Sequence, residues 1–441
     1  MSIKTMKRNS PTGHEKPGSR PLSPYDQAFL GFQQGAPDIA LDKGTLLFVD
    51  GRPPSDQEWR AHVAGRMNRQ AALRERLATN RRGEPEWSTV PMNDIDIDYH
   101  AAVWPEPEPT GTDLRRSGPQ VIDRISASTR LDLNRPPWRV FLVRRDDENA
   151  DGFMIHYRCS HIQQDGAAMH SALWMLFGED PEPVSTGRLR TRPQVRPRDL
   201  LAEANRARHN PLGRNDLTIW GGLPTGPSRH YLAETTLPTL RRASRRHDVT
   251  INDIFLAALA GAVRAWAPRD WDLAAHPLLH TAMPLSVRPP EQARTLSNYS
   301  SVVWVPLPVG EPDRHLRLQR VSNHTRVIRD TEPALFERTV VTRLPASLVR
   351  QIATTSTRLS DPKKAKYPIS VSNPRSMSGP LAACGRRITG LAHFPLRGQG
   401  PLSVVLGGLD DQVSVAFTFA ASVSNADLLP GLFLHELHHL A

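Results

Sequence analysis

Ser160-His161-Ile162-Gln163-Gln164-Asp165-Gly166 sets an imidazole four residues before a carboxylate, where the pattern of the chain changes abruptly. The run before it, Gly152-Phe153-Met154-Ile155-His156-Tyr157-Arg158-Cys159, is rich in β-branched and aromatic residues and reads as a strand. The run after it, Gly166 to Phe177, reads as an apolar helix. His161 is therefore expected at a strand-to-helix turn, a place where a side chain can be held rigidly over a cleft. An imidazole with its ordinary pKa of about 6.5 suits proton transfer near neutral pH. A single histidine after a strand is as often a packed or solvated one, so the rest of the chain has to decide.

Outward from this point the chain alternates strands and helices. Gly44 to Asp50 reads as a strand, and Ser55 to Leu77 carries Trp59, Val63, Met67, Ala71 and Leu73 at helical spacing. Asp113 to Arg130 reads as a helix, and Trp138 to Arg145 as a strand that pairs with Gly152 to Ser160 across a charged turn. In the second half, strands are expected at His230 to Glu234, Leu278 to Val287, Val302 to Pro306, Pro368 to Ser372, Leu402 to Leu406 and Gln412 to Thr418. Helices are expected at Leu237 to His247, Ile251 to Ala267 and near Asp427 to Leu440. This alternation predicts an α/β (α+β) architecture with two lobes and a site where they meet. The boundaries read as a disordered basic tail over 1–20, an N-terminal lobe over 21–180, a Pro- and Arg-rich crossover over 181–229 and a C-terminal lobe over 230–441.

At 441 residues the chain is long enough for two lobes with a sizeable core. The net charge of +11 favours anionic partners, but 49 of the 56 basic residues are Arg scattered along the whole chain rather than gathered in a nucleic-acid stripe. No nucleic-acid partner is expected. Two cysteines are too few for a disulfide framework or a Cys-based zinc site. The N-terminus lacks the apolar segment of a secretory signal, and the longest apolar run, Ile254 to Val263, is short of the about 20 residues that span a bilayer. A cytoplasmic protein, at most peripheral to a membrane, is the expectation. There is no G-x-S-x-G elbow, P-loop or G-x-G-x-x-G.

Three further clusters have plain alternatives. His435-Glu436-Leu437-His438-His439 matches H-E-x-x-H, but only Leu440 and Ala441 follow and no third ligand is announced, so a terminal helix is the better reading and no metal is expected. Lys363, Lys364 and Lys366 are either a solvated loop or a contact for the phosphates of a cofactor. Thr250-Ile251-Asn252-Asp253 fits a helix start in which Asp253 caps, leaving Asn252 as the better site residue.

The His161 to Gly166 motif resembles the H-H-x-x-x-D-G signature of the wax ester synthase/diacylglycerol acyltransferase family, a branch of the CoA-dependent acyltransferase superfamily that includes condensation domains. Further echoes follow in order: Pro21-Leu22-Ser23-Pro24-Tyr25-Asp26, Pro136-Pro137-Trp138, Asn252-Asp253, Pro284-Leu285-Ser286-Val287-Arg288, Leu296-Ser297-Asn298 and Val371-Ser372-Asn373. The resemblance runs from about residue 21 to the C-terminus. Two positions depart from it: Ser160 stands where the family has its first histidine, and Pro137 where it has the leucine of P-L-W.

The resemblance implies a two-lobed CoA-dependent acyltransferase-like fold with the active site in a channel between the lobes. It implies transfer of an acyl group from acyl-CoA, a co-substrate with no further cofactor, to an alcohol such as a long-chain alcohol or diacylglycerol. His161 would be the general base and Asp165 and Gly166 the rest of the catalytic motif. Ser160, Asn252, Ser286 and Asn298 would meet substrate, the last three as oxyanion donors, and Arg288 would be the structural partner of Asp165. The alternatives are a specialised-metabolite O- or N-acyltransferase fed by acyl-CoA or a carrier-protein thioester, and a catalytically silent binding module. A peripheral membrane or lipid-surface contact is the further partner expected.

Overall fold

The computed structural model describes residues 18–441 except 39–40, 110, 148–149, 180–224, 269–270, 293–294, 360–368 and 396–399. The tail up to residue 17, most of the 181–229 crossover and the Lys363, Lys364 and Lys366 cluster lie outside the described residues.

In chain order the first half contains β1 (Ser19–Pro21), α1 (Pro24–Gly35), β2 (Asp42–Val49), α2 (Asp56–Arg69), β3 (Glu75–Thr79), β4 (Pro85–Thr89), α3 (Ile97–His100), β5 (Ala101–Val103), α4 (Leu114–Ser128), β6 (Trp138–Val143), β7 (Phe153–Ser160) and α5 (Gly166–Phe177). The second half contains β8 (Ser228–Thr236), α6 (Leu237–His247), α7 (Ile251–Trp266), β9 (Leu279–Ser286), β10 (Ser300–Leu307), α8 (Arg314–Thr331), α9 (Pro333–Val341), α10 (Ala346–Leu359), β11 (Ile369–Ser372), β12 (Ala382–Ala383), β13 (Arg386–Pro395), β14 (Leu402–Leu409), β15 (Gln412–Ala420) and α11 (Leu429–Leu440).

Two mixed six-stranded sheets form the lobes, in the orders β12-β13-β2-β7-β6-β5 and β10-β9-β11-β14-β15-β8. Every residue of β2 and of β7 is buried, because this sheet carries apolar layers on both faces. One layer is α5, nearly all of it buried, which explains why its sequence is apolar around the whole helix rather than on one stripe. The second lobe is built around α7, buried from Asp253 to Val263 among α8, α11 and the sheet. The apolar run Ile254 to Val263 is thus core, and no single helix among the described residues is long and apolar enough to cross a membrane.

Two expectations need correction. The helix predicted over Ser55 to Leu77 stops at Arg69; a 3₁₀ turn and β3 follow. The reason is tertiary: the Trp138 indole N–H donates to the Leu73 carbonyl at 2.8 Å, and Arg74 donates to the carbonyls of Met67 and Val90, which pins the chain into a turn. The lobe boundary at 230–441 is also crossed. Strand β13 pairs antiparallel with β2 from Ile388↔Val49 to Pro395↔Lys43, so a segment of the C-terminal half completes the sheet of the N-terminal one. The lobes are tied further by His230 to Asp123 at 2.6 Å and Arg115 to Glu234 at 2.5 Å.

Candidate active site

Strand β7 ends at Ser160, and a short turn carries the chain to Asp165, the N-cap of α5. The Asp165 carboxylate is fully committed. Its Oδ1 accepts from Arg288 Nη2 at 2.8 Å and from the Ala168 N–H at 2.9 Å; its Oδ2 accepts from the Tyr299 N–H at 2.7 Å and from the Ser300 hydroxyl at 3.2 Å. Burial works to raise the Asp165 pKa, but the charges of Arg288 and Lys43 and the backbone donors outweigh it and hold the group at about 2. Arg288 donates in addition to the carbonyls of Gln292, Thr295 and Ser297. Asp165 and Arg288, both buried, thus lock the first lobe's turn to the second lobe's loop.

His161 sits between, with its ring stacked on Phe29 at 4.0 Å and its Nδ1 3.1 Å from Asn298 Oδ1. The Asn298 amide nitrogen faces three acceptors, Asp26 Oδ1 at 2.9 Å and the carbonyls of His161 and Ile162 at 2.8 Å each. That fixes the amide's orientation, so Oδ1 accepts and Nδ1 of His161 must be the protonated nitrogen. Nε2 then carries the lone pair and, among the described residues, has no partner. Behind Asn298, Asp26 accepts from the backbone N–H groups of Ser23 and Asn298, the Trp87 indole and the Ser297 hydroxyl. Burial pushes the Asp26 carboxyl upward against those donors.

The imidazole does not keep its ordinary pKa. Burial, and then the nearby charge of Lys43, pull His161 down to about 3. It is neutral across the whole physiological range.

A cavity of about 1640 Å³ opens in front of the ring, lined from the first lobe by Lys43, His161, Gly166 and His170 and from the second by Asn252, Met283 and Ser286. Gly166 is open to it: a Cβ there would meet only Pro374 Cβ at 3.8 Å. Asn252 and Ser286 stand on the cavity wall, and the Asn252 side-chain Oδ1 accepts from Asn373 Nδ2 at 3.3 Å. Two expected substrate contacts are placed elsewhere. Ser160 is buried, accepts from the Ile162 N–H at 3.3 Å within its own turn, and does not line the cavity. Asn298 does not line it either, and its amide protons are spent on Asp26 and two carbonyls, so it positions His161 instead of serving an oxyanion.

Asp253 forms the expected capping box with Thr250 and also accepts from the Thr325 hydroxyl at 2.5 Å. In the H-E-x-x-H stretch, Glu436 turns inward to Arg317 and Arg314, which gives that carboxylate a structural partner set. Asp26, Phe29 and Lys43 also surround His161 or line its cavity, and sequence reading left them without a role. Asp26 ends the Pro21 to Asp26 echo, and Lys43 is the single lysine between positions 16 and 363, so each carried a signal.

The model of the wax ester synthase/diacylglycerol acyltransferase catalytic domain matches residues 22–218. Two relatives from Mycobacterium tuberculosis (strain ATCC 25618 / H37Rv) are named as diacylglycerol O-acyltransferases. One is 26% identical over 318 residues, 62% of this chain and 65% of that protein, so the match spans less than two thirds of the relative's own length. The other is 23% identical over 404 residues, 84% of each chain. Among solved structures, the wax ester synthase/diacylglycerol acyltransferase from Marinobacter aquaeolei VT8 is similar with a TM-score of 0.63 at 20% identity, covering 95% of this chain and 98% of that one. The first condensation domain of the CDA synthetase is similar with a TM-score of 0.64 at 15% identity, covering 96% of each. These two share the fold of this chain. The motif at His161 to Gly166, the family model over residues 22–218 and the similar folds agree: the chain resembles the wax ester synthase/diacylglycerol acyltransferase family.

Proposed function

We propose that the protein transfers an acyl group from acyl-CoA to a hydroxyl, with His161 Nε2 as general base. The observation that carries this reading is the held tautomer: Nδ1 is tied to Asn298, and the free nitrogen opens into a cavity walled by both lobes. As the acceptor oxygen attacks the thioester carbonyl, its proton passes to Nε2. The tetrahedral intermediate then expels the thiolate of CoA, which takes that proton and leaves as the thiol. Held neutral by burial, the imidazole keeps the Nε2 lone pair free to accept that proton. Asn252 and Ser286 are the side chains on the opposite wall suited to donate to the oxyanion. Asp165 and Arg288 position the turn and do not touch the reacting atoms.

A lipid acceptor would enter past Phe32 and Val302, which are exposed and also line the cavity, and the same lip supports a peripheral contact with a lipid surface. The second reading, acylation of a polar scaffold from acyl-CoA or a carrier-protein thioester, is favoured by the lysine and histidines on the cavity wall, which do not match a purely aliphatic substrate.

The test is thiol release from a panel of acyl-CoAs with and without alcohols and amines, comparing wild type with His161→Ala. The variant is expected to lose about 10²–10⁴ in rate while staying folded, because the ring faces the cavity. Equal release by both proteins removes His161 from the chemistry.

A further inference from the structure

Lys43 stands on the wall of this cavity with no ion pair among the described residues. Its register on β2, opposite Cys159 on β7 and Pro395 on β13, puts it on the sheet face shared by Thr45 and His393, against which α5 packs. The side chain is only 9% exposed and lines the cavity. Among the described residues no hydrogen bond or ion pair reaches its ammonium. The neighbouring carboxylates are taken, Asp42 by Arg158 at 2.7 Å and Asp165 by Arg288 at 2.8 Å. Two more polar groups stand on the same wall: His170 and His393 meet Nε2 to Nε2 at 2.9 Å, and His393 Nδ1 lies 2.9 Å from the Thr45 hydroxyl.

A buried, unpaired ammonium is costly, and an apolar side chain of the same length would serve an aliphatic substrate better. Burial pulls Lys43 below its usual range, and its field in turn depresses His161, His170 and His393. An anion brought in by the substrate would offset that cost.

We propose that Lys43, with the His170–His393 pair beside it, forms a subsite for a carboxylate carried by the substrate, in the same cavity as His161. The proposal rests on the acyl-transfer reading of that cavity. One ammonium flanked by imidazoles that burial keeps neutral matches a single negative charge, and the nearby Arg288 gives its two terminal nitrogens to Asp165 and three carbonyls. The substrate class is therefore a dicarboxylic acyl-CoA or a hydroxy-acid acceptor, which bring the same group from the two sides of the reaction.

Two arms separate these sources. In the first, adipoyl-CoA is compared with hexanoyl-CoA using a neutral alcohol; in the second, hexanoyl-CoA is given ω-hydroxyhexanoate or its methyl ester. Wild type is expected to prefer the carboxylate form in one arm by about 10- to 100-fold in kcat/KM, and Lys43→Met to lose that preference. Absence of preference in both arms, or a preference unchanged in Lys43→Met, overturns the proposal. Should Lys43→Met fold poorly, Lys43→Gln makes the same comparison. Calorimetric titration of adipate and ω-hydroxyhexanoate into both proteins needs no turnover. Binding that depends on Lys43 without thiol release from any thioester supports the subsite and removes the transferase reading. Turnover of hexanoyl-CoA with no carboxylate preference keeps the transferase and removes the subsite.

Discussion

Asn298→Ala separates positioning from contact at the His161 site, since the side chain touches the base and not the cavity. The substitution deletes one acceptor for the His161 Nδ1–H at 3.1 Å and the donor to Asp26 and to the His161 and Ile162 carbonyls, at 2.8–2.9 Å. Asp26 keeps the backbone N–H of residue 298, so the loss falls mainly on the two carbonyls. At about 1–3 kcal/mol for each buried acceptor left unpaired, the fold should lose roughly 2–6 kcal/mol. The chemistry should lose more than the fold does. With its tautomer no longer fixed, the imidazole spends part of its time with Nε2 protonated and unable to accept; loss of such an orienting partner costs up to about 10⁴ in kcat in a comparable arrangement. We expect a drop of about 10²–10⁴ in kcat with KM little changed, read by thiol release, beside a lowered melting temperature. Histidine ¹⁵N spectra give an independent check: wild-type His161 should show a protonated Nδ1 and stay neutral at pH 5. A wild-type signal protonated on Nε2, or an Asn298→Ala variant with native kcat, would refute the argument.

Asp165→Ala should act on the fold first, because it strips a counter-charge from Arg288, which is 3% exposed, and removes the acceptor for the Tyr299 and Ala168 N–H groups. Breaking a buried pair from one side costs about 3–5 kcal/mol, so a variant with native thermal stability would count against the assigned role. Stability should also fall on mild acidification. His100, His156, His170 and His393 are buried, and His161 faces only the cavity; burial holds them at about 4, 3, 4, well below the usual value, and about 3 respectively. Their folded pKa values lie under the unfolded value of about 6.5, so below that pH the unfolded chain binds more protons and gains about 1.4 kcal/mol per pH unit per histidine. The melting temperature should be flat above pH 7 and drop steeply from pH 6 toward pH 4, with several protons taken up on unfolding. Asp165, held at about 2, adds its own loss only below about pH 4. A melting temperature unchanged from pH 7 to 4.5 would show that these rings are not shielded.

Local pattern was enough for much of the layout. Period and turn residues placed β6, β7, α5, α6 and α7 within a few residues, because each has an apolar pattern and boundaries written in neighbouring positions, such as the Thr250–Asp253 capping box. Helices α1, α8, α9 and α10 and strand β13 were not read from the sequence. Strand β13 mixes Arg386, Arg387 and Thr389 with an apolar end, and its place depends on pairing with β2 more than 300 residues upstream.

By itself the sequence brought out positions around which the candidate site is built, His161 and Asp165, with Arg288 added by the resemblance, and the alternation of elements that makes a layered two-lobed protein. Only the tertiary structure decided what each of them does. A hydrogen-bond partner, a register and a shielding environment depend on groups far apart in the chain: Asn298 became the holder of His161 through Asp26, Ser160 was folded away from the cavity, and Lys43 came to share the cavity of His161 with no ion pair among the described residues.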